Sequence, residues 1–308
     1  MLQITADVFS GRPNPTWTVT DEKEAKAILK ELAQNPTLIA DTPVEAGLGF
    51  RGVLVEPISD HLVEDLGLSS SLYVPLNAGG FGAKGAEIAE RLISLIPQAS
   101  PSPQAGANAL ALDEALQGFL TGQLLVSRGA SVADGAAVAS AASEAAEAVA
   151  PHVTCYYDTS PYNPGFWNND PNIRVHNNCY NYASNKRTDT FAQPGLGCGQ
   201  MYREITCPEV TRAALCDGLH RRYDCFPDSE YPRYLVAMAV IPSPNPLQRD
   251  YHWYRKMREG FWAHKPGGTA VRNVDNSNHV IMDPATCDRG PYTQFCGYFY
   301  TCRSQKIK

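Results

Sequence analysis

Apolar residues recur at two periods along the first hundred positions. "LQITADVF" alternates apolar and polar residues and predicts a strand, and the turn-rich "SGRPNPTW" follows it. In "TDEKEAKAILKELAQN" the spacing becomes helical. Ala25, Ile28, Leu29 and Leu32 form one stripe, Asp21 stands where a cap is needed, and Glu24 lies three residues on. "FRGVLVEPI" and "SLYVPL" predict two further strands, and "KGAEIAERLISLI" a second helix. Residues 1–98 therefore predict a small α+β domain. Residues 99–150 predict a Pro/Ala-rich linker ("PQASPSPQAGA") with two helices, the second so rich in alanine that it suits a spacer.

Beyond 150 the pattern changes. "YYDTSPYNPGFWNNDPN" and "QPGLGCGQMY" predict loops, "CYNYASNK" a short helix, and "CPEVTRAALCDGL" a helix begun by Pro208. "RYLVAMAVI", "DYHWYRK" and "GFWAHK" predict strands. The tail "DPATCDRGPYTQFCGYFYTC" reads as turn-rich. The fold class is α+β: a small N-terminal α+β domain, an Ala-rich helical linker, and a third region, 151–308, of helix plus antiparallel sheet.

Charge and cysteine content sharpen the division. Residues 1–150 hold 8 Lys/Arg against 18 Asp/Glu, and residues 151–308 hold 18 against 14. All nine cysteines and 23 of the 29 aromatic residues lie beyond 150, so independent shifts coincide at one boundary. Cys155, Cys198, Cys207, Cys216, Cys225, Cys287, Cys296 and Cys302 suffice for four disulfides and leave Cys179 over. Such clustering predicts an oxidising, extracellular destination, although "MLQITADVFSGRPNP" shows no signal peptide. No CxxC pair exists, which disfavours structural zinc. No apolar run is long enough to span a membrane, and no nucleic-acid partner is expected. "GFGAKG" at 80–85 has a dinucleotide-site pattern, but no later strand ends in an acidic residue to hold a ribose, so it reads as a strand-to-helix turn. Asp158, Asp170, Asp275 and Asp283 lie in oxygen-rich loops without calcium-loop spacing.

Cys179 stands apart from the loop cysteines because it opens a predicted helix. Free N–H groups there favour thiolate, and Asn177 or Asn178 suits the cap. A thiol nucleophile also needs a base and an orienter for that base. His252 and His264 both fall in strand candidates. Closing "DYHWYRKMREGFWAHK" as a hairpin through Met257, Arg258 and Glu259, with Gly260 left-handed, sets Tyr254 opposite Trp262 and His252 opposite His264. One imidazole would be the base and the other its orienter. Asn273 and Asp275 are alternative orienters.

The order Cys179–His252–His264 resembles the NlpC-type papain-like cysteine peptidases, and "CYNYA" is similar to the related CHAP amidases. Asn178, Cys179, Tyr182 and Ala183 match the helix-opening motif. The chain carries Tyr180-Asn181 where that family has Ser-Gly, and Trp253-Tyr254-Arg255 where its histidine is followed by Val-Gly. The resemblance implies a papain-like C-terminal domain and a secreted peptidase or amidase acting on peptide or cell-wall substrates, with no cofactor. Cys179 would be the nucleophile, His252 the base and His264 its orienter, with the Cys179 N–H and Asn178 or Asn177 supporting the oxyanion. Two other classes share these features: a deamidating or acyl-transferring effector, and a non-catalytic disulfide-rich secreted binding module.

Overall fold

A computed structural model describes residues 1–40, 47–58, 66–76, 82–101, 110–127, 155–221 and 227–308. The chain forms two compact units. One comprises Met1–Phe9, Pro13–Val132 and Gly268–Ala270, and the other Ser10–Arg12, Ala133–Gly267 and Val271–Lys308. The Ala-rich helix expected at 131–150 and the boundary near 150 lie outside the described residues.

The first unit holds a five-stranded antiparallel sheet in the order β4-β3-β1-β2-β5. Its strands are β1 (Leu2–Asp7), β2 (Thr16–Val19), β3 (Gly52–Pro57), β4 (Leu72–Pro75) and β5 (Ser100–Pro101). α1 (Glu22–Gln34) buries Ala25, Ile28, Leu29 and Leu32, the stripe read from the pattern. The Asp21 carboxylate accepts the Lys23 and Glu24 N–H groups at 2.8 and 3.2 Å, while Glu24 pairs with Arg91 instead of closing a capping box. α2 (Gly82–Ser94) and α3 (Glu114–Ser127) complete the unit. β2 falls partly in a stretch read as loop.

The second unit is a disulfide-bonded sheet-and-helix domain, so the α+β class expected from sequence is present. Its antiparallel sheet runs β6-β10-β7-β8-β9, from β6 (His220–Arg221), β7 (Leu235–Val240), β8 (Tyr251–Lys256), β9 (Trp262–His264) and β10 (Gln294–Tyr300). Four α-helices accompany it among the described residues: α4 (Gly165–Asn168), α5 (Pro171–His176), α6 (Cys179–Ser184) and α7 (Cys207–Cys216). β10 was hidden in the turn-rich tail. A bulge between Phe295 and Gly297, the latter at φ +118°, leaves Cys296 outside the ladder. That cysteine bonds to Cys207 at the start of α7.

A second disulfide joins Cys198 to Cys216, and Cys155 is also disulfide-bonded. Cys179, Cys287 and Cys302 are free thiols, which corrects the expectation of four bridges. Cys302 instead directs its sulfur to the Gly218 carbonyl at 3.0 Å. Cys225 lies outside the described residues. No helix among the described residues is long and apolar enough to cross a membrane.

Candidate functional site

The second unit brings the sequence-selected residues to β8 and α6. Asn178 caps α6: its side-chain oxygen accepts the Tyr180 and Asn181 N–H groups at 3.0 and 3.1 Å. The Asn181 side chain returns the bond to the Asn178 N–H at 3.0 Å, closing a box. Both hydrogens of the Asn178 amide are taken, by the Gly11 and Ala192 carbonyls at 2.8 Å each. Asn177 is committed as fully. It donates to the Ile173 carbonyl and the Asp189 carboxylate, and accepts the Thr188 and Asp189 N–H groups. Neither asparagine keeps a donor for an oxyanion.

Cys179 has no solvent exposure and shares a core cluster with Tyr180, Tyr251 and Trp253. Its sulfur lies 3.9 Å from the Tyr251 carbonyl. Burial pushes the thiol pKa well up, and the nearby Asp250 carboxylate pushes it further the same way. A helix N-terminus contributes only about 0.3–1 kcal/mol toward an anion. Desolvating a charge costs several kcal/mol, so the thiol stays protonated.

The histidines do meet. His252 Nε2 and His264 Nδ1 are 2.7 Å apart, with the rings near perpendicular at 84°. The register that joins them is not the expected one: Tyr254, not His252, faces His264, and Lys256 faces Trp262. Met257 stays in the ladder through its N–H to the Phe261 carbonyl, so the turn is Arg258–Gly260, with Gly260 at φ +94°. The register has slipped by two residues, which keeps every side chain on its own face and makes the pair a diagonal one.

The hydrogen positions follow. His264 Nε2 lies 3.0 Å from the Val274 carbonyl, which can only accept, so Nε2 carries the proton. His264 Nδ1 is then the acceptor and His252 Nε2 the donor. Burial lowers the His264 pKa from 6.5 to about 3. Alternation along β8 sends Tyr251 and Trp253 to the face that holds Cys179, and His252 to the other, where it packs on Tyr254 and Tyr292.

The alternative orienters serve the loop that follows β9. The Asp275 carboxylate accepts the Ser277, His279 and Asp288 N–H groups. Burial opposes its ionisation, but these bonds prevail and its pKa is lowered. The Asn273 carbonyl accepts the Ile281 N–H.

Several buried charges of this unit gave no sequence signal, Asp250, Lys265 and Arg255 among them. Asp250 accepts the Ser10, Gly11 and Arg12 N–H groups and the Tyr292 hydroxyl, at 2.5–3.2 Å. Lys265, also fully buried, donates to the Arg174, Asn177 and Gly267 carbonyls. It thereby answers the exposed carbonyl end of α5. Arg255 lies against Tyr182 and Tyr234. No group of three or more His, Cys, Asp or Glu among the described residues is placed to hold a metal ion.

Over 137 residues the chain is 47% identical to insoluble matrix shell protein 1 of Ruditapes philippinarum, a stretch covering 44% of this chain and 86% of that protein. The chain belongs to the family of that shell matrix protein. No family model and no solved structure matches it. The relationship overturns the NlpC-type and CHAP resemblance, and with it the peptidase or amidase activity, the papain-like assignment and the peptide or cell-wall substrate. The burial of Cys179, His252 and His264, at 0, 0 and 1% exposure, gives the physical reason: no substrate carbonyl reaches the thiol. The non-catalytic, disulfide-bonded module fits better than either enzymatic class. Disulfides accord with an extracellular, oxidising location.

Proposed function

We propose that the chain is a secreted, non-catalytic structural component of an insoluble extracellular matrix, like its shell relative. The observation that carries this reading is the 47% identity extending over 86% of that protein. The disulfides of the second unit support it, because cross-links favour durability. Cys179, His252 and His264 act in this reading as core residues: the thiol fills space beneath β8, and the imidazole pair ties β8 to β9 and to Val274.

The test is sequential extraction of the extracellular or mineralised material of the source organism with chelator, then detergent, then denaturant with reductant. Each fraction is searched for peptides of this chain by mass spectrometry. Peptides confined to the residue that survives chelator and detergent support the assignment. Peptides confined to soluble or intracellular fractions overturn it.

A further inference from the structure

The structural reading leaves the chemistry of Arg255 unused. It projects from β8, is 3% exposed, and forms no ion pair among the described residues. Its guanidinium carbon lies 4.4 Å from the Tyr182 ring centroid and 5.5 Å from that of Tyr234. Nε and Nη1 are buried without a hydrogen-bond partner. The other buried ions of the unit are answered by hydrogen bonds: Asp250 by backbone N–H groups, and Lys265 by carbonyls. A buried charge without a counter-ion costs several kcal/mol, and two tyrosine faces return about 0.5–2 kcal/mol each.

The neighbouring polar groups are also donors. The Tyr234 hydroxyl accepts from Asn185 Nδ2 at 3.3 Å, which leaves its own hydrogen uncommitted. The Tyr182 hydroxyl gives its hydrogen to the Met257 sulfur at 3.4 Å, a weak acceptor easily exchanged for an oxygen. Asn185 is held at φ 54° as the C-cap of α6, which fixes its amide beside Tyr234. Tyr234 and Asn185 are only half-buried, so the donors communicate with solvent.

We propose that Arg255, with the hydroxyls of Tyr234 and Tyr182, forms a binding site for one small oxyanion, either inorganic or a carboxylate group. The anion accepts from the guanidinium and from Tyr234, and neutralises a charge that no side chain neutralises. Burial already lowers the Arg255 pKa, so the charged form is held at a cost that an anion relieves. The site is independent of the matrix assignment.

The experiment titrates the full chain with inorganic phosphate and, separately, acetate, at constant ionic strength set with chloride, by isothermal titration calorimetry. Saturable one-to-one binding is expected. Phosphate alone identifies an inorganic oxyanion, and acetate alone a carboxylate. Tyr234→Phe keeps the ring over the guanidinium and removes only the donor, and is expected to weaken binding at least tenfold. Arg255→Met is expected to abolish it. Absence of saturable binding of either anion overturns the proposal. So does unchanged affinity in Arg255→Met or, where that variant does not fold, in Tyr234→Phe.

Discussion

Acid should weaken the second unit through His264, and the size of the effect follows from its surroundings. The ring is 1% exposed, donates to the Val274 carbonyl, and accepts from His252. Protonating it puts a hydrogen on Nδ1, opposite a hydrogen already on His252 Nε2, in a buried site. The folded-state pKa is about 3, against 6.5 ordinarily. Because the folded value is depressed, the unfolded chain binds the proton first. The stabilisation is complete above pH 6.5 and is lost as pH falls from there toward 3. At about 1.36 kcal/mol per pH unit, the loss is about 2 kcal/mol at pH 5 and about 3.4 kcal/mol at pH 4, approaching ~5 kcal/mol near pH 3. Urea unfolding at pH 7.5, 6, 5 and 4 measures it, followed by tryptophan fluorescence. Three of the four tryptophans, Trp167, Trp253 and Trp262, lie in this unit. His264→Gln supplies a neutral donor and acceptor at every pH and serves as the reference. The difference in stability between the two proteins should shrink on acidification by the amounts given. Parallel pH profiles for wild type and His264→Gln would refute the reasoning.

Other outcomes follow from the same geometry. Iodoacetamide at neutral pH should leave Cys179 unmodified in the native protein and alkylate it in denaturant; peptide mapping that finds a native adduct within minutes would contradict the buried, protonated thiol. Asn178→Ala removes the α6 cap and two amide hydrogen bonds, while Gln193 and Tyr251 still donate to the carbonyls involved, so the midpoint of urea unfolding should fall by the equivalent of about 1–2 kcal/mol. Gly11→Ala would set a methyl group 2.4 Å from the Tyr251 ring and 2.5 Å from its carbonyl. A loss of about 1–3 kcal/mol or more is expected, whereas Ser10→Ala, whose hydroxyl has no partner, should unfold like wild type. Removing Cys207–Cys296, which closes a span of 89 residues, should cost more than removing Cys198–Cys216, which closes 18. The loop-entropy difference is about 1–1.5 kcal/mol, and equal shifts in the two double-serine variants would argue against it.

What could be read from the chain was local, and what could not was long-range. The α1 stripe and its Asp21 cap depend on neighbours within four residues, and both appear as read. The strands of "RYLVAMAVI", "DYHWYRK" and "GFWAHK" are present for the same reason. β10 escaped because its alternation is broken at the bulge, where Cys296 leaves the ladder for Cys207, 89 residues away. The hairpin was placed two residues out because the buried Met257 side chain, packed with Trp167 and Tyr182, keeps that residue in the ladder. α5 was read as loop although Asp170 and Pro171 carry a start signal; at six residues its stability comes from contacts such as Lys265, which no local pattern encodes.

The same long-range terms explain why a catalytic-looking constellation became a core. Cysteine at a helix start and two hydrogen-bonded histidines are what a thiol enzyme requires, and all are here. Whether they act depends on base and thiol sharing a face of β8, which they do not here, and on what surrounds the sulfur. In the peptidases the chain resembled, small residues follow the cysteine and the histidine. Here Tyr180 and Trp253 take those places, both fully buried, with ring centroids 5.5 Å apart in the cluster that contains Cys179. Their bulk is one difference in sequence. It converts a helix terminus worth about 0.3–1 kcal/mol in favour of thiolate into a dry site where desolvation costs several times more. Opening the space with Tyr180→Ser and Trp253→Val would not recover an enzyme, because Asn178 and Asn177 have already committed every amide hydrogen to carbonyl and carboxylate partners. The departures from the peptidase motif therefore form one set, bulky around the sulfur and saturated at the cap, and that set leaves the buried thiol without an oxyanion donor from either asparagine.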